Sequence, residues 1–139
     1  EAGARSRNAI AAIDADLAGA DARTLALVSV PETHGPIWLW AWSCPQALGA
    51  PFLRHPLPAD RVLERPINYY NGDNWSKARQ PAAMLRAASS AAVLLVTADG
   101  TVRHRLVPAA ELQAHVAAVA PPGVTGENLT LFIESLFPR

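Results

Sequence analysis

The spacing of apolar residues changes along the chain, and these changes mark the predicted elements. In Ala4–Ala20 they are spaced three or four residues apart, as on one face of a helix: Ile10, Ile13 and Leu17. The run Thr24–Val30 (TLALVSV) is instead continuously apolar and stops at Pro31. A short β-rich run of this kind is typical of a strand buried on both faces.

The segment Ile37–Leu53 fits two structures. Trp38, Trp40 and Trp42 alternate, which is the pattern of a strand with the three rings on one face, while Trp38 and Trp42 also have the spacing of one helical turn. We expect a helix that Pro45 interrupts, because a buried strand followed by a crossover helix is the economical α/β solution.

The middle of the chain predicts a second strand and a helix. The strand falls within Arg61–Tyr70, where Pro66 favours a position at the edge of a sheet, since proline has no N–H to donate. The helix begins at Asn74 or Trp75 and ends at Ser89, with Pro81 disfavouring a regular course.

The clearest local signal is the pair Asp99-Gly100 between two β-rich runs, Ala92–Thr97 and Thr101–Val107. Both residue types accept the positive φ of a tight turn, so the pattern predicts a β-hairpin with a type I′ turn.

Two helices are expected after the hairpin. Pro108 stands at the start of the first, which extends through Val119. Helical spacing recurs in the last segment, although Leu129–Ile133 also fits a strand; the spaced residues are Leu129, Phe132, Ile133, Leu136 and Phe137. The elements together predict an α/β fold: a two-layer or three-layer sandwich with a mixed sheet of about four strands, flanking helices and the hairpin at Asp99-Gly100.

Composition agrees with one domain over residues 1–139 and excludes several classes of partner. Half of the 139 residues are hydrophobic, enough for a core in one domain. Twelve basic and twelve acidic residues are spread evenly, whereas a nucleic-acid-binding face needs concentrated basic charge. There is no apolar run of about 18 residues, the length of a membrane span. Arginine supplies all but one of the basic residues, which together with many alanines and prolines is typical of a GC-rich bacterial genome.

The sequence shows no motif for a metal, a cofactor or a nucleophile. The four histidines have no metal-ligand spacing, and a lone cysteine, Cys44, forms neither an internal disulfide nor a cysteine zinc site. Ser43 lacks the glycines of a nucleophile elbow. We therefore assign no catalytic residue, metal ligand or cofactor from these motifs, and we interpret Cys44 as a buried structural thiol.

The candidate binding residues are one histidine and four tryptophans. His34 follows the first predicted strand, and ligands of open α/β sheets bind beyond the carboxyl ends of strands. Indole rings either fill a core or form an exposed patch that holds a sugar, a membrane interface or another domain. We name as candidate binding residues His34, Trp38, Trp40, Trp42 and Trp75.

A family resemblance covers roughly residues 5–53. A helix ending in Ala-Gly-Ala is followed by a strand closing on proline (LALVSVP), a Gly-aromatic segment (GPIWLWAW) and Pro-x-Ala-Leu (PQAL). This order resembles the soluble C-terminal tails of bacterial polytopic membrane proteins of the mannosyltransferase type, which use lipid-linked sugars. The resemblance carries over no catalytic residue, because the catalytic acid of such enzymes lies in their membrane-embedded part.

The resemblance implies a noncatalytic accessory domain on the extracytoplasmic (periplasmic) face of a bacterial inner membrane. Its expected partners are the transmembrane portion of a parent protein and a glycan or lipid-linked sugar, not nucleic acid. We expect the chain to be a piece of a longer protein, because it begins at Glu1 without Met. Two alternatives stay open: a small α/β enzyme with a site around Glu32 and His34 at the strand ends, and a free-standing interaction domain.

Overall fold

The fold is built on an open, mixed, four-stranded sheet. The computed structural model describes residues 11–29, 33–34, 37–38, 61–65, 81–97, 99, 101–121, 123–125 and 127–138. The strands of this sheet are β1 Thr24–Ser29, β4 Val62–Arg65, β5 Ser90–Val96 and β6 Val102–Pro108. They lie in the order β4-β1-β5-β6. A separate two-stranded sheet pairs β2, Thr33–His34, with β3, Ile37–Trp38.

β1 occupies an interior position because both of its faces are apolar. All six of its residues are buried, and it pairs in parallel with β4 on one side and with β5 on the other. Strands β4 and β6 form the two edges. The edge position predicted for the strand before Pro66 is therefore confirmed.

Helices cover both faces of the sheet, which gives three layers. On one face, apolar residues of the strands pack with those of three helices: α2 (Pro81–Ala87), α3 (Ala109–Ala118) and α4 (Leu129–Ser135). On the other face, Ile13 and Leu17 pack on alternate strand residues such as Val28 and Leu94. These two residues belong to helix α1, residues 11–17. The predicted α/β fold is confirmed, and so are the first and last predicted helices over residues 11–17 and Leu129–Ser135.

Helix α1 runs antiparallel to β1 and β5. Asp16 Oδ2 lies 2.8 Å from Nδ1 of His104, and a Cβ at Gly19 would lie 3.0 Å from Leu106. His104 pairs with Leu94 and Leu106 with Ala92, so α1 advances toward the amino end of β5. The described chain therefore enters the fold from the side of the carboxyl ends of the parallel strands.

The hairpin is present, but its loop is wider than a type I′ turn. Val96 lies opposite Val102, and Thr97 N–H donates to the carbonyl of Thr101 over 2.9 Å. This register leaves three residues in the loop, whereas a turn with Asp99-Gly100 at its centre would place residue 98 opposite Thr101. The Asp99 carboxylate accepts hydrogen bonds from the Thr97 hydroxyl and the Thr101 N–H, which stabilises the wider loop.

Two further predictions need correction. Ile37–Trp38 is a strand, so the predicted helix is wrong at its first two residues, where a partner strand satisfies the backbone. The second correction concerns Pro81, which was expected to disturb the helix. The helix begins at Pro81 and ends at Ala87. An N–H at the first helical position would have no acceptor within the helix, so proline is favoured there. The predictions for residues 39–53 and 66–80 lie outside the described residues.

A short loop sets the position of α4 after α3. Asn128 donates from Nδ2 to the carbonyl of Gly123 over 2.9 Å, and its Oδ1 accepts from the N–H of Thr125 at 2.7 Å. Gly123 has a φ of 88°, a value that favours glycine. No helix in the described part of the chain has the length and apolarity to cross a membrane.

Candidate functional site

The sheet topology singles out the carboxyl ends of β1 and β5. From β1, the next strand of this sheet in sequence, β4, lies on one side, and β5 lies on the other. Between two parallel strands whose connections leave in opposite directions, a crevice opens beyond their carboxyl ends. In this fold those ends are Ser29 and Val96.

A groove of about 590 Å³ lies at this carboxyl edge, between the end of β5, the start of β6 and the outer side of α4. Its volume is within the usual range for small-molecule sites. The described residues that line it are Leu95, Thr97, Arg103, Leu131, Glu134, Ser135 and Phe137. We call this set the carboxyl-edge groove.

Arg103 is the cationic group of the groove. Its Nη2 donates to the carbonyl of Pro138 over 2.7 Å, and its guanidinium carbon lies 4.8 Å from the centre of the Phe137 ring. The ring and the carbonyl hold the guanidinium in place through a cation–π contact and a hydrogen bond. A guanidinium has five N–H donors, so a fixed Arg103 retains donors for a ligand.

Hydroxyl groups and one carboxylate supply the other polar atoms. Thr97 follows β5, and Glu134 and Ser135 belong to the last turn of α4. The Ser135 hydroxyl donates to the carbonyl of Phe132 over 2.6 Å and keeps its lone pairs as acceptors. The groove thus offers donors and acceptors together with apolar surface.

Leu131 provides the apolar surface of the outer wall. Its side chain is 69% exposed, and it is the one large hydrophobic residue among the described residues that is exposed. An isolated exposed leucine is common, but this one lies at the groove, beside Glu134 and Ser135.

A hydrogen-bonded pair of hydroxyl groups fixes α4 beside the end of β1. Ser29 Oγ lies 3.0 Å from Oγ1 of Thr130, and Ser29 is 5% exposed. Ser29 pairs with Leu95 of the groove, and Thr130 precedes Glu134 by about one helical turn. The pair therefore holds the groove-lining turn of α4 over the sheet.

Arg105 also holds the end of α4 in place. It donates from Nη1 and Nη2 to the two carboxylate oxygens of Glu111, each at 2.7 Å, and from Nη1 to the carbonyl of Leu136 at 2.7 Å. Hydrogen bonds from Arg105 lower the pKa of Glu111 below its usual value. Arg105 so links the start of α3 to the end of α4.

The predicted binding residues are only partly within the described structure. The backbone of His34 pairs with Ile37, and that of Trp38 with Thr33, in the small sheet β2–β3. Trp40, Trp42, Trp75 and Glu32 lie outside the described residues. The described structure therefore tests neither the binding role of these residues nor the choice between buried and exposed indole rings.

Sequence reasoning missed the residues of the carboxyl-edge groove. One signal was present: Arg103 and Arg105 alternate within a predicted strand, so both lie on one face. That face carries Val107, which packs in the core with α3 and α4. Charged side chains on such a face need hydrogen-bonding partners. Here the partners are Glu111 and the carbonyls of Leu136 and Pro138.

Among the described residues, no group of three or more His, Cys, Asp or Glu side chains is placed to hold a metal ion. No protein-family model matches the chain, and no curated protein or solved structure is significantly similar to it.

Proposed function

We propose that this chain is a noncatalytic binding domain that holds a polyhydroxylated ligand, a glycan or the sugar of a lipid-linked sugar, in its carboxyl-edge groove. The observation that carries the proposal is the lining of that groove and its position at the carboxyl end of β5, beside α4.

The lining suits a sugar. Sugar hydroxyls both donate and accept hydrogen bonds. The groove presents a guanidinium donor, a carboxylate acceptor and two hydroxyl oxygens that can accept: Arg103, Glu134, Thr97 and Ser135. Leu131 offers an apolar surface for the C–H face of a sugar ring. The groove therefore combines apolar surface with several polar groups, as a sugar site needs.

We further propose that the domain is the extracytoplasmic accessory domain of a larger bacterial membrane protein. The resemblance of residues 5–53 to glycosyltransferase tails supports the parent and its location. The direction of α1 agrees with this arrangement, because the described chain enters from the edge that carries the groove. A membrane span that preceded the domain would place the groove on the membrane side, within reach of a lipid-linked sugar.

Calorimetric titration with mannobiose tests the binding function. We expect the wild-type chain to bind it, and Arg103→Ala to weaken binding about tenfold, the cost of losing a charged hydrogen-bond donor. Arg86→Ala is the matched control, since Arg86 is exposed on α2 and does not line the groove. Equal affinity in both variants contradicts the proposed site.

The full-length reading frame tests the proposed parent. Hydrophobic spans upstream of Glu1, together with recovery of the expressed protein in the membrane fraction, support the assignment. A reading frame without such spans contradicts it and favours the free-standing interaction domain.

The second candidate is a small α/β enzyme at the same edge, with Glu32 and His34 as acid–base groups. Chain connectivity favours it: His34 follows Ser29 by five residues, so its Cα lies within about 18 Å of the end of β1. Its test is Glu32→Gln and His34→Gln in a hydrolysis assay on glycosyl esters. Turnover that both variants abolish would favour the enzyme over the binding domain.

A further inference from the structure

A second cavity lies at the opposite edge of the sheet, at the amino ends of β1 and β4. Its volume is about 330 Å³. The described residues that line it are Arg23, Leu25, Arg61, Met84, Ala87 and Ala88. We call it the amino-edge pocket; it shares no described residue with the carboxyl-edge groove.

Two arginines, Arg23 and Arg61, line this pocket. Arg61 donates from Nε to the carbonyl of Thr24 over 3.0 Å, which fixes it beside β1, and Arg23 is the residue before Thr24. Both arginines also act on Asp21, where their positive charges help to lower the pKa of the carboxyl group after the stronger effects of hydrogen bonds from Ser89 and the Arg23 N–H.

Among the described residues, Asp21 is the carboxylate that interacts with the two arginines of the pocket. Asp21 Oδ1 accepts from the Ser89 hydroxyl at 2.6 Å and from the Arg23 backbone N–H at 2.7 Å. The side chain of Arg23 makes no hydrogen bond to another described residue, and that of Arg61 makes only the one to Thr24. Among the described residues, two cationic side chains thus accompany one hydrogen-bonded carboxylate, and N–H groups of both guanidinium groups remain as donors for a ligand.

The other described residues of the pocket wall are apolar. Leu25 and Ala88 belong to the buried core, and Met84 packs against it. Methionine fills irregular space and adapts to the shape of an apolar group. The pocket therefore combines a double guanidinium with a small hydrophobic surface.

We propose that the amino-edge pocket binds a phosphate group that is attached to an apolar moiety. Arginine pairs bind the tetrahedral oxyanion through charge-assisted, bidentate hydrogen bonds, and the apolar wall takes the attached group. The site is independent of the proposed sugar-binding function, because it uses other residues at the other edge of the sheet.

The test uses phenyl phosphate, inorganic phosphate and phenol in parallel calorimetric titrations of the whole chain. Phenyl phosphate carries both parts of the proposed ligand, so we expect it to bind more tightly than either part alone. Arg23→Gln is expected to weaken it about tenfold, and added salt to weaken it further. Arg86→Gln serves as the control, since it removes the same charge from outside the pocket.

Arg61→Gln is the second variant, and its thermal unfolding is measured beside its affinity because Arg61 also holds the Thr24 carbonyl. Arg23, which is exposed and makes no such bond, keeps the test valid if Arg61→Gln unfolds. Equal binding of phenyl phosphate and phenol, or equal loss in Arg23→Gln and Arg86→Gln, overturns the proposal.

Vesicle sedimentation separates the two sources of such a phosphate. Sedimentation with phosphatidylglycerol vesicles that Arg23→Gln abolishes identifies a lipid headgroup. Binding of phenyl phosphate by a protein that does not sediment with the vesicles identifies a soluble phosphate ester. Failure of both assays contradicts the pocket as a binding site and leaves the sugar titration at the other edge unaffected.

Discussion

Arg105 of β6 donates hydrogen bonds to both carboxylate oxygens of Glu111 in α3, with Nη–O distances of 2.7 Å. The same guanidinium also binds the carbonyl of Leu136 at the end of α4. One side chain on an edge strand thus joins two helices of the same layer, and it lies next to the residues that line the carboxyl-edge groove.

We expect Arg105→Lys to lower the thermal midpoint by a few degrees, because an ammonium group cannot reproduce the planar fork that meets two oxygens and a carbonyl together. Arg86→Lys, an exposed position on α2, is the matched control and should leave the midpoint unchanged. In a double-mutant cycle with Glu111→Gln, a coupling energy of zero would show that the pair contributes nothing to stability.

The hairpin loop predicts an acid-dependent loss of stability. A hydrogen bond from the Thr97 hydroxyl, helped by one from the Thr101 N–H, lowers the pKa of Asp99 from 3.8 to about 2. A carboxyl group with a depressed folded-state pKa stabilises the fold above its ordinary pKa, and this contribution is lost as the pH falls through the folded value.

Asp99→Asn should therefore be less stable than the wild type at neutral pH, and the difference should shrink between about pH 4 and pH 2. Chemical unfolding at several pH values measures this difference. A gap that stays constant down to pH 2 would show that the carboxylate charge does not stabilise the loop.

Two leucines test the assignment of buried and exposed positions. Leu94 of β5 is fully buried between the sheet and α1, whereas Leu131 of α4 is 69% exposed. Leu94→Ala should lower the free energy of unfolding by about 2–5 kcal/mol through lost burial and a cavity. Leu131→Ala should change it by less than about 0.5 kcal/mol. Similar effects in urea unfolding would contradict the three-layer arrangement.

Loss of the hydrogen bond between Ser29 and Thr130 should lower the free energy of unfolding by less than Leu94→Ala does. Ser29→Ala removes the partner of Thr130 in a place where Ser29 is 5% exposed, so we expect a loss of about 1 kcal/mol. The double variant with Thr130→Val should recover part of this loss, because no hydroxyl is then left without its partner. A further loss in the double variant would contradict the direct bond.

Local patterns in the sequence predicted the described elements well where one signal dominated. The buried run before Pro31, the edge position before Pro66 and the hairpin around Asp99 each follow from residue types within a few positions. The helix predicted at Ile37–Trp38 was wrong because alternation and helical spacing coincide there, and only pairing with Thr33 and His34 decides the structure.

The candidate site depends on long-range contacts and could not be predicted in the same way. Ser29 and Thr130 lie 101 positions apart in sequence, and Arg103 meets Pro138 across 35. Their proximity results from the strand order and the packing of α4. The sequence did indicate the edge of the sheet, since a ligand site was expected near His34 at the carboxyl ends of the strands, and the groove lies at that edge.

The measurement that tests the central claim most directly is amide chemical-shift mapping of the ¹⁵N-labelled chain during titration with mannobiose. We predict that the shifts concentrate on the carboxyl-edge groove, at Thr97, Arg103 and Glu134, and that they saturate with one apparent affinity. Shifts confined to the amino edge around Arg23 and Ala88, or no shifts at millimolar sugar, would contradict the carboxyl-edge groove as the binding site.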